Sequence, residues 1–319
     1  MSVDYKILLL VPVPVPSLRI SFFCVYLYNL IAYPMDEYRN IDISAWTKVG
    51  EGGNGTVYEN PSEPDVILKV NKAGINTLAF VSNEYKVSRA VEGLGIQVPK
   101  MYEIVKVGDV YATLSQRIRN KKSFSRICQE NPDRTEEMAR VLCEKGQELF
   151  RTPCNTDIFP SRKEQLLRAI GKARFIGKKN REIIAQFART IPEEKTCVHG
   201  DFSMANIIVS EGNYYWIDLD RFGYGDPMFD IGHLFQICNV YSSMKQVQDI
   251  FHMSEEQLKR FWTAFAKAYT GEETPEAFNR LAGKFACLDL VVRNEFQKPS
   301  LVESLFFASY IRNHVKNYF

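Results

Sequence analysis

The sequence changes period once, near residue 119, and that break limits the fold more than any other feature. From about residue 42 to 118 the chain runs in short β-branched and aromatic stretches: "AWTKVG", "GTVYEN", "DVILKV", "MYEIVKV" and "VYATLSQ". Gly108-Asp109 joins the last two as a two-residue hairpin signal. One helix is expected among them, over about 76–92, with Leu78, Val81, Tyr85, Val91 and Leu94 at roughly helical spacing and Gly93 and Gly95 closing it. After "RNKKS" (119–123) the chain turns helical, near 134–150, 161–175, 179–190, 228–240, 255–269, 275–292 and 300–317. The exception is 207–217, where "NIIVS" and "YYWID" enclose Glu211-Gly212-Asn213, a hairpin signal. The pattern specifies a small antiparallel sheet with one helix, followed by a mainly helical lobe.

With 319 residues the chain can form one large domain or two lobes sharing a cleft. Lys+Arg 40 against Asp+Glu 38 gives a net charge of +2, so no bulk field argues for nucleic acid or an anionic membrane. Seven cysteines, none in Cys-x-x-Cys spacing, suit a reducing compartment such as the cytoplasm better than a disulfide framework. With only 4 His, a zinc site is disfavoured. Residues 1–34 read differently from the rest. "VPVPVP" (11–16) excludes a helix there, and "ISFFCVYLYNLIAY" (20–33) is short of the roughly 20 apolar residues needed to cross a bilayer. An extension outside the fold, a membrane-associating segment and a signal peptide all remain open readings. Stable membrane insertion is not expected.

Chemistry concentrates in four places. "VGEGGNGTVY" carries Gly50, Gly52, Gly53 and Gly55, with Val57 after them, between two strand-like runs. Such a loop is a plain β-hairpin or a cover for nucleotide phosphates, since backbone amides without Cβ atoms approach an anion closely. "VILKV" puts Lys69 inside an apolar strand, where it snorkels at an edge or pairs with a carboxylate. Glu84 on the following helix is the natural partner, with Glu92 and Glu103 also available. In "VHGDFSMANIIV", Asp201 and Asn206 are spaced to reach one cleft, the carboxylate to accept a proton and the amide oxygen to bind Mg²⁺. In "YYWIDLDRFGYGDP", Asp218 ends an aromatic strand that the hairpin returns beside Asn206, and Asp220 is the second choice of metal ligand. His199 is expected to pack and hydrogen-bond loop backbone. Asp226 is read as a turn residue and Asp230 as a carboxylate that opens and caps a helix.

In chain order these features follow the phosphoryl-transfer template of protein kinases. "His-Gly-Asp…Asn…Ile-Asp…Gly-Asp-Pro…Asp", carried by His199-Gly200-Asp201, Asn206, Ile217-Asp218, Gly225-Asp226-Pro227 and Asp230, resembles the aminoglycoside phosphotransferase and choline kinase group of that superfamily. The resemblance covers about 42 to 240. It implies a bilobal protein-kinase-like fold of the α+β class, with residues 1–34 outside it, an N-lobe over 35–118 and a C-lobe over 119–319. It implies ATP and Mg²⁺, with Asp201, Lys69 and Glu84 catalytic and Asn206 and Asp218 on the metal. The Gly loop (Gly50, Gly52, Gly53, Gly55, Val57), Lys69 and a hinge at Gln116–Ile118 would hold ATP, with adenine meeting backbone groups near Gln116 and Ile118. The implied activity is transfer of the γ-phosphoryl group to a hydroxyl of a small molecule: a sugar, an amino alcohol or an aminoglycoside-like acceptor. A protein Ser/Thr kinase and a non-catalytic nucleotide-binding module are the alternatives. Against the first, Leu219 follows Asp218 where protein kinases have Phe-Gly; against the second, every catalytic position is filled. The basic run over 161–181 reads as a solvated face, not as a polycation site.

Overall fold

Five antiparallel strands, β1 (Thr47–Glu51), β2 (Gly55–Glu59), β3 (Val66–Asn71), β4 (Met101–Val107) and β5 (Val110–Gln116), form one sheet in the order β1-β2-β3-β5-β4. The computed structural model describes residues 38–51, 55–296 and 299–319; the readings made for residues 1–34 and for Gly52 and Gly53 lie outside these. The hairpin at Gly108 is confirmed, with β4 and β5 paired from Val107–Val110 outward and Gly108 at φ 60°. Helix α1 (Leu78–Gly93) starts where Thr77 caps it, its hydroxyl accepting from Phe80 N–H, and buries Val81 and Val91. Leu68, Val105, Ala112 and Leu114 make a small core on the sheet's other side.

The rest of the chain is mostly helical, as its period requires. β6 (Lys122–Ser123) leads into α2 (Phe124–Glu130), α3 (Thr135–Arg151), α4 (Arg162–Lys172) and α5 (Lys178–Thr190). Then come β7 (Cys197–Val198), β8 (Ile207–Ser210), β9 (Asn213–Trp216) and β10 (Gly223–Tyr224). Helices α6 (Met228–Phe235), α7 (Lys245–Phe251), α8 (Glu255–Thr270), α9 (Glu276–Phe296) and α10 (Leu301–Tyr318) complete the fold. The architecture is the expected α+β one, with an antiparallel N-terminal sheet and a helical C-terminal part.

Two expected helices are interrupted. The segment over 161–175 is α4 and then a separate 3₁₀ turn at Arg174–Ile176. The one over 228–240 is α6 continued by a π-helical turn at Gln236–Val240. The helices α2 and α7 have no counterpart in the sequence reading, because seven residues span barely two turns and give periodicity little to act on. The hairpin at 207–217 is tighter than read. Glu211 and Gly212 (φ 50° and 79°) make a two-residue turn, and Asn213 already belongs to β9.

The large core lies among the helices. Phe124, Leu142, Leu166, Ile184, Phe202, Phe261 and Phe265 are fully buried there. No helix among the described residues is long and apolar enough to cross a membrane. The basic run of 161–181 is only partly the solvated face it was expected to be. Lys172 and Lys178 are exposed, yet Arg162 is buried and Lys163 caps the end of α5 through the carbonyls of Arg189 and Ile191.

Candidate functional site

The segment from His199 to Asn206 is held in one shape by its own side chains. Phe202, next to Asp201, inserts into the core between Phe150, Trp216 and Phe265, with ring centroids 5.4, 5.6 and 6.0 Å away. Met204 is equally buried, and its carbonyl accepts from Ser125 N–H at 3.0 Å. Alternate residues of the loop therefore anchor it, and Asp201 is left facing the cleft.

Three further contacts complete the shape. His199 is fully buried; its Nδ1 accepts from Asp201 N–H (3.3 Å) and its Nε2 donates to Ile217 O (3.0 Å). That pattern requires a neutral ring, and burial pushes the His199 pKa down to about 4. The packing role expected of His199 is what the structure shows. Gly200 has φ +82°, and a Cβ there would stand 2.1 Å from Arg221 O, so the backbone crossing demands glycine. Asp230 differs from its expected role. It lies in the first turn of α6, but its two oxygens accept from His199 N–H (2.6 Å) and Gly200 N–H (2.7 Å). It caps the loop and not its own helix, because the helix start faces the loop's free amides across the core. Burial pushes Asp230 up to about 6 against those two hydrogen bonds. Asp226 serves the turn as expected, accepting from Met228 N–H at 2.8 Å.

Asn206 donates from Nδ2 to the carbonyl oxygen of Asp201 (2.8 Å) and to its Oδ2 (3.0 Å), which turns the amide oxygen the other way. Its own carbonyl accepts from Ile217 N–H at 3.0 Å, which sets Asp218 beside it. Asp218 does not end the strand, as its sequence position suggested. β9 stops at Trp216, and Asp218 sits two residues later at φ +63°. A non-glycine residue in that region is uncommon, and here it turns the carboxylate out of the sheet's alternation. Burial and the charges of Asp220 and Asp201 push the Asp218 pKa up to about 7, with Lys69 acting against them. Asp220 is raised too, by burial and by Glu84.

Across the cleft, Lys69 pairs with Val57 on β2 and with Thr113 on β5, and its Nζ meets Glu84 Oε1 at 2.5 Å. The other candidates are engaged elsewhere, Glu92 with Arg89 and Glu103 with Arg39. Burial works to lower the Lys69 pKa, but the charge and hydrogen bond of Glu84 outweigh it and raise it, helped by Asp220 and Asp218. The ammonium is therefore held charged, facing the two aspartates.

A cavity of about 480 Å³ opens beside this pair, lined by Val49, Gly50, Val57, Ile67 and residues 117–121, Ile118 among them. Val57, Ile67 and Lys69 share one face of the sheet by pairing and alternation. Gly55 underlies the same loop, where a Cβ would meet Val70 O at 2.5 Å. Gln116 stands apart from the cavity lining. Its N–H goes to Lys100 O (2.8 Å) and its side chain accepts from Lys100 N–H (3.2 Å).

Four residues join Asp201 that the sequence reading did not single out. His233 Nε2 contacts Asp201 Oδ1 at 2.9 Å, and its Nδ1 contacts Asp289 Oδ2 at 3.1 Å. Arg293 holds Asp289 Oδ2 through Nε at 2.7 Å. Arg293 and Arg221 come within 3.8 and 3.9 Å of Asp201 Oδ1. Burial would raise the Asp201 pKa, but the His233 hydrogen bond and the charges of His233, Arg221 and Arg293 hold it well below the usual carboxylate range. Asp289 is lowered likewise, by Arg293 and His233 against burial. Gly232 permits this junction, since a Cβ there would fall 2.4 Å from Phe285 Cβ. The helices α6 and α9 can then approach until His233 reaches Asp289.

The oxygen donors fit a hard cation. Asp218 is destabilised as an anion by its carboxylate neighbours, which a cation would relieve, and the Asn206 oxygen points away from Asp201. Among the described residues no cluster of three or more His, Cys, Asp or Glu makes an all-protein metal cage. Mg²⁺ does not need one, because it binds through one or two carboxylates together with substrate phosphates.

Residues 46–274 match the model of the family described as "Phosphotransferase enzyme family". The fold is similar to a thermostable mutant of the aminoglycoside phosphotransferase APH(4)-Ia in ternary complex with AMP-PNP and hygromycin B. The TM-score is 0.57 at 12% identity, over 86% of this chain and 94% of that one. It is similar also to another structure of that aminoglycoside phosphotransferase, with TM-score 0.55 at 13% identity over 86% and 93% of the two chains. At such identities the likeness is one of fold. None of the curated proteins compared matches the chain.

Proposed function

This chain belongs to the phosphotransferase enzyme family, and from that premise we propose that it transfers the γ-phosphoryl group of ATP, with Mg²⁺, to a hydroxyl of a small-molecule acceptor. The observation that carries the reading is the convergence of Asn206 on Asp201 (3.0 Å) and of Lys69 on Glu84 (2.5 Å), with Asp218 between the two pairs. The similar APH(4)-Ia structure with AMP-PNP supports a nucleotide in the cleft. Adenine would lie in the 480 Å³ cavity near Ile118, with the phosphates under the Gly loop.

Each residue has a task in this reaction. Lys69, kept charged by Glu84, binds the α- and β-phosphates. Asn206 and Asp218 would hold Mg²⁺, which would supply positive charge to offset that of the phosphates. Asp201, fixed by Asn206 and His233, accepts the hydrogen bond of the acceptor hydroxyl, orients its oxygen toward the γ-phosphorus and takes the proton as the O–P bond forms and ADP leaves. Such catalysis is mostly positioning and charge, which agrees with a loop pinned by Phe202, Met204 and Asp230.

The test is a screen of small hydroxyl compounds for Mg²⁺-dependent ADP release, with phosphorylated product identified by mass. The reading predicts a phosphorylated alcohol that Asp201→Asn fails to make. ADP release that Asp201→Asn leaves unchanged would contradict it, as would transfer to protein side chains alone.

A further inference from the structure

The 480 Å³ cavity is lined by three cationic side chains, those of Arg117, Arg119 and Lys121, and among the described residues by no carboxylate. Both arginines are engaged with the turn between β2 and β3. Arg117 pairs with Glu59 and donates to Pro64 O at 3.4 Å, and Arg119 meets Asp65 Oδ1 at 2.9 Å. These contacts tie the hinge to the sheet above it. Lys121 has no ion pair among the described residues, and its neighbour Lys122 takes Glu130 at 2.6 Å. Desolvation lowers the Lys121 ammonium below its ordinary value, with no carboxylate acting against it. Lys121 is exposed at the cavity's mouth. An ammonium in that setting is a donor that a bound molecule can use without breaking a contact.

The backbone fixes where this donor stands. Asn120 turns the chain at φ +49°, and Ser210 Oγ donates to Arg119 O at 2.6 Å. β6 then pairs with β8, Lys122 with Val209 and Ser123 with Ile208. By this register Lys121 falls beside Ser210, four residues beyond Asn206, or about 13 Å at the rise of a strand. Asn206 and Lys121 are thus at opposite ends of β8. On the phosphotransferase reading, the phosphates belong to the end with Asn206, Asp218 and Lys69. The base lies against Val57 and Ile67 near Ile118. The sugar then falls between the base and the phosphates under Gly50. Lys121, three residues past Ile118, is the lining cation that no carboxylate holds back from it.

We propose that Lys121 recognises the ribose of the nucleotide, its ammonium donating to the 2′- or 3′-hydroxyl oxygen, and so makes the protein prefer ribonucleotides to their deoxy forms. This rests on the phosphotransferase reading and deepens it, by naming a specificity residue for the phosphoryl donor. A sugar hydroxyl offers two lone pairs, so a donor without acceptor capacity suffices to bind it. Removing that hydroxyl leaves the ammonium in the cavity with nothing to receive its proton.

The experiment is calorimetric titration of the full chain in Mg²⁺ with ADP, 2′-deoxy-ADP and 3′-deoxy-ADP. The parent should bind ADP about tenfold more tightly than at least one deoxy form, the worth of one hydrogen bond to an exposed charged group. Lys121→Met should bind ADP with the affinity that the parent shows for that deoxy form, and should bind the two alike. Lys121→Arg, which keeps a charged donor, should retain most of the preference. A parent that binds all three nucleotides equally overturns the proposal without recourse to any variant. A preference that Lys121→Met leaves intact overturns it as well. So does Lys121→Met weakening all three nucleotides by one common factor, which would assign the charge to the phosphates. Failure of the wider reading looks different: ADP binds with the same dependence on Lys121 and on the hydroxyl, but no alcohol receives phosphate from ATP.

Discussion

The two sides of Asp201 are built differently. On the nucleotide side, the side chains lie on strands, tight loops and the one helix α1 and meet across short sequence intervals: Lys69 reaches Glu84 fifteen residues on, and Asn206 reaches Asp201 five residues back. On the other side, His233, Asp289 and Arg293 come from helices and meet only because α6 and α9 pack closely at Gly232. The first side needs the backbone to be shaped; the second needs the core to be packed.

That contrast is open to direct attack. The largest effect is expected on the nucleotide side: Asp218→Ala should abolish Mg²⁺-dependent turnover with the thermal midpoint nearly unchanged. Retained turnover would remove Asp218 from the metal. Lys69→Met should lose most of the rate and Glu84→Gln less, and the double variant should cost less than the two losses added, as for residues in contact. A double-mutant cycle on the rate at saturating acceptor measures this; strict additivity would separate the two roles.

A smaller effect tests the support beneath both sides. Asp230→Ala leaves two buried amides, those of His199 and Gly200, without their acceptor, at about 1–3 kcal/mol each. Thermal melting should show the fall, and an unchanged midpoint would mean that the loop finds other partners.

The smallest effect is one of pH on the packed side. The His233 pKa is raised above its ordinary 6.5: burial and the Arg293 charge act against the rise, and its hydrogen bonds to Asp201 and Asp289 prevail. Its contribution to stability is then fully present below about 6.5 and fades as the pH climbs through the raised value. Asp201 and Asp289 are depressed below 3.8, so their share is present above that value and lost on acidification. The stability difference between the parent and His233→Gln, from denaturant midpoints, should be greatest between about pH 4 and 6.5 and shrink at higher pH. A difference that does not shrink as the pH climbs well above 6.5 would rule out the imidazolium.

The same division explains what the sequence disclosed. The pairing of Lys69 with Glu84 and the approach of Asn206 to Asp201 were legible because each residue sits in a short run whose strand, helix or turn context follows from its neighbours. Local spacing also misled where the chain leaves regular structure. Asp218 was read as a strand end, yet its left-handed φ places it past β9. Asp230 was read as the cap of its own helix, yet its partners lie about thirty residues earlier in the chain. His233 and Asp289 carried only a faint mark, polar side chains within the otherwise apolar runs "IGHLF" and "CLDLVV". Nothing in periodicity pairs residues 56 positions apart, and only the packing of α6 on α9 does so. Arg221 had a nearer sign, three residues after Asp218 and opposite Gly200.

Asp201 is where the two sides meet, so its single substitution tests the whole account most directly. The measurement is single-turnover transfer by Asp201→Asn, alongside its AMP-PNP affinity in Mg²⁺. Nucleotide affinity should stay close to that of the parent while transfer falls by roughly 10²–10⁴, the usual worth of a positioned base. Transfer at the parent rate would contradict the assignment of Asp201 as the group that takes the acceptor's proton.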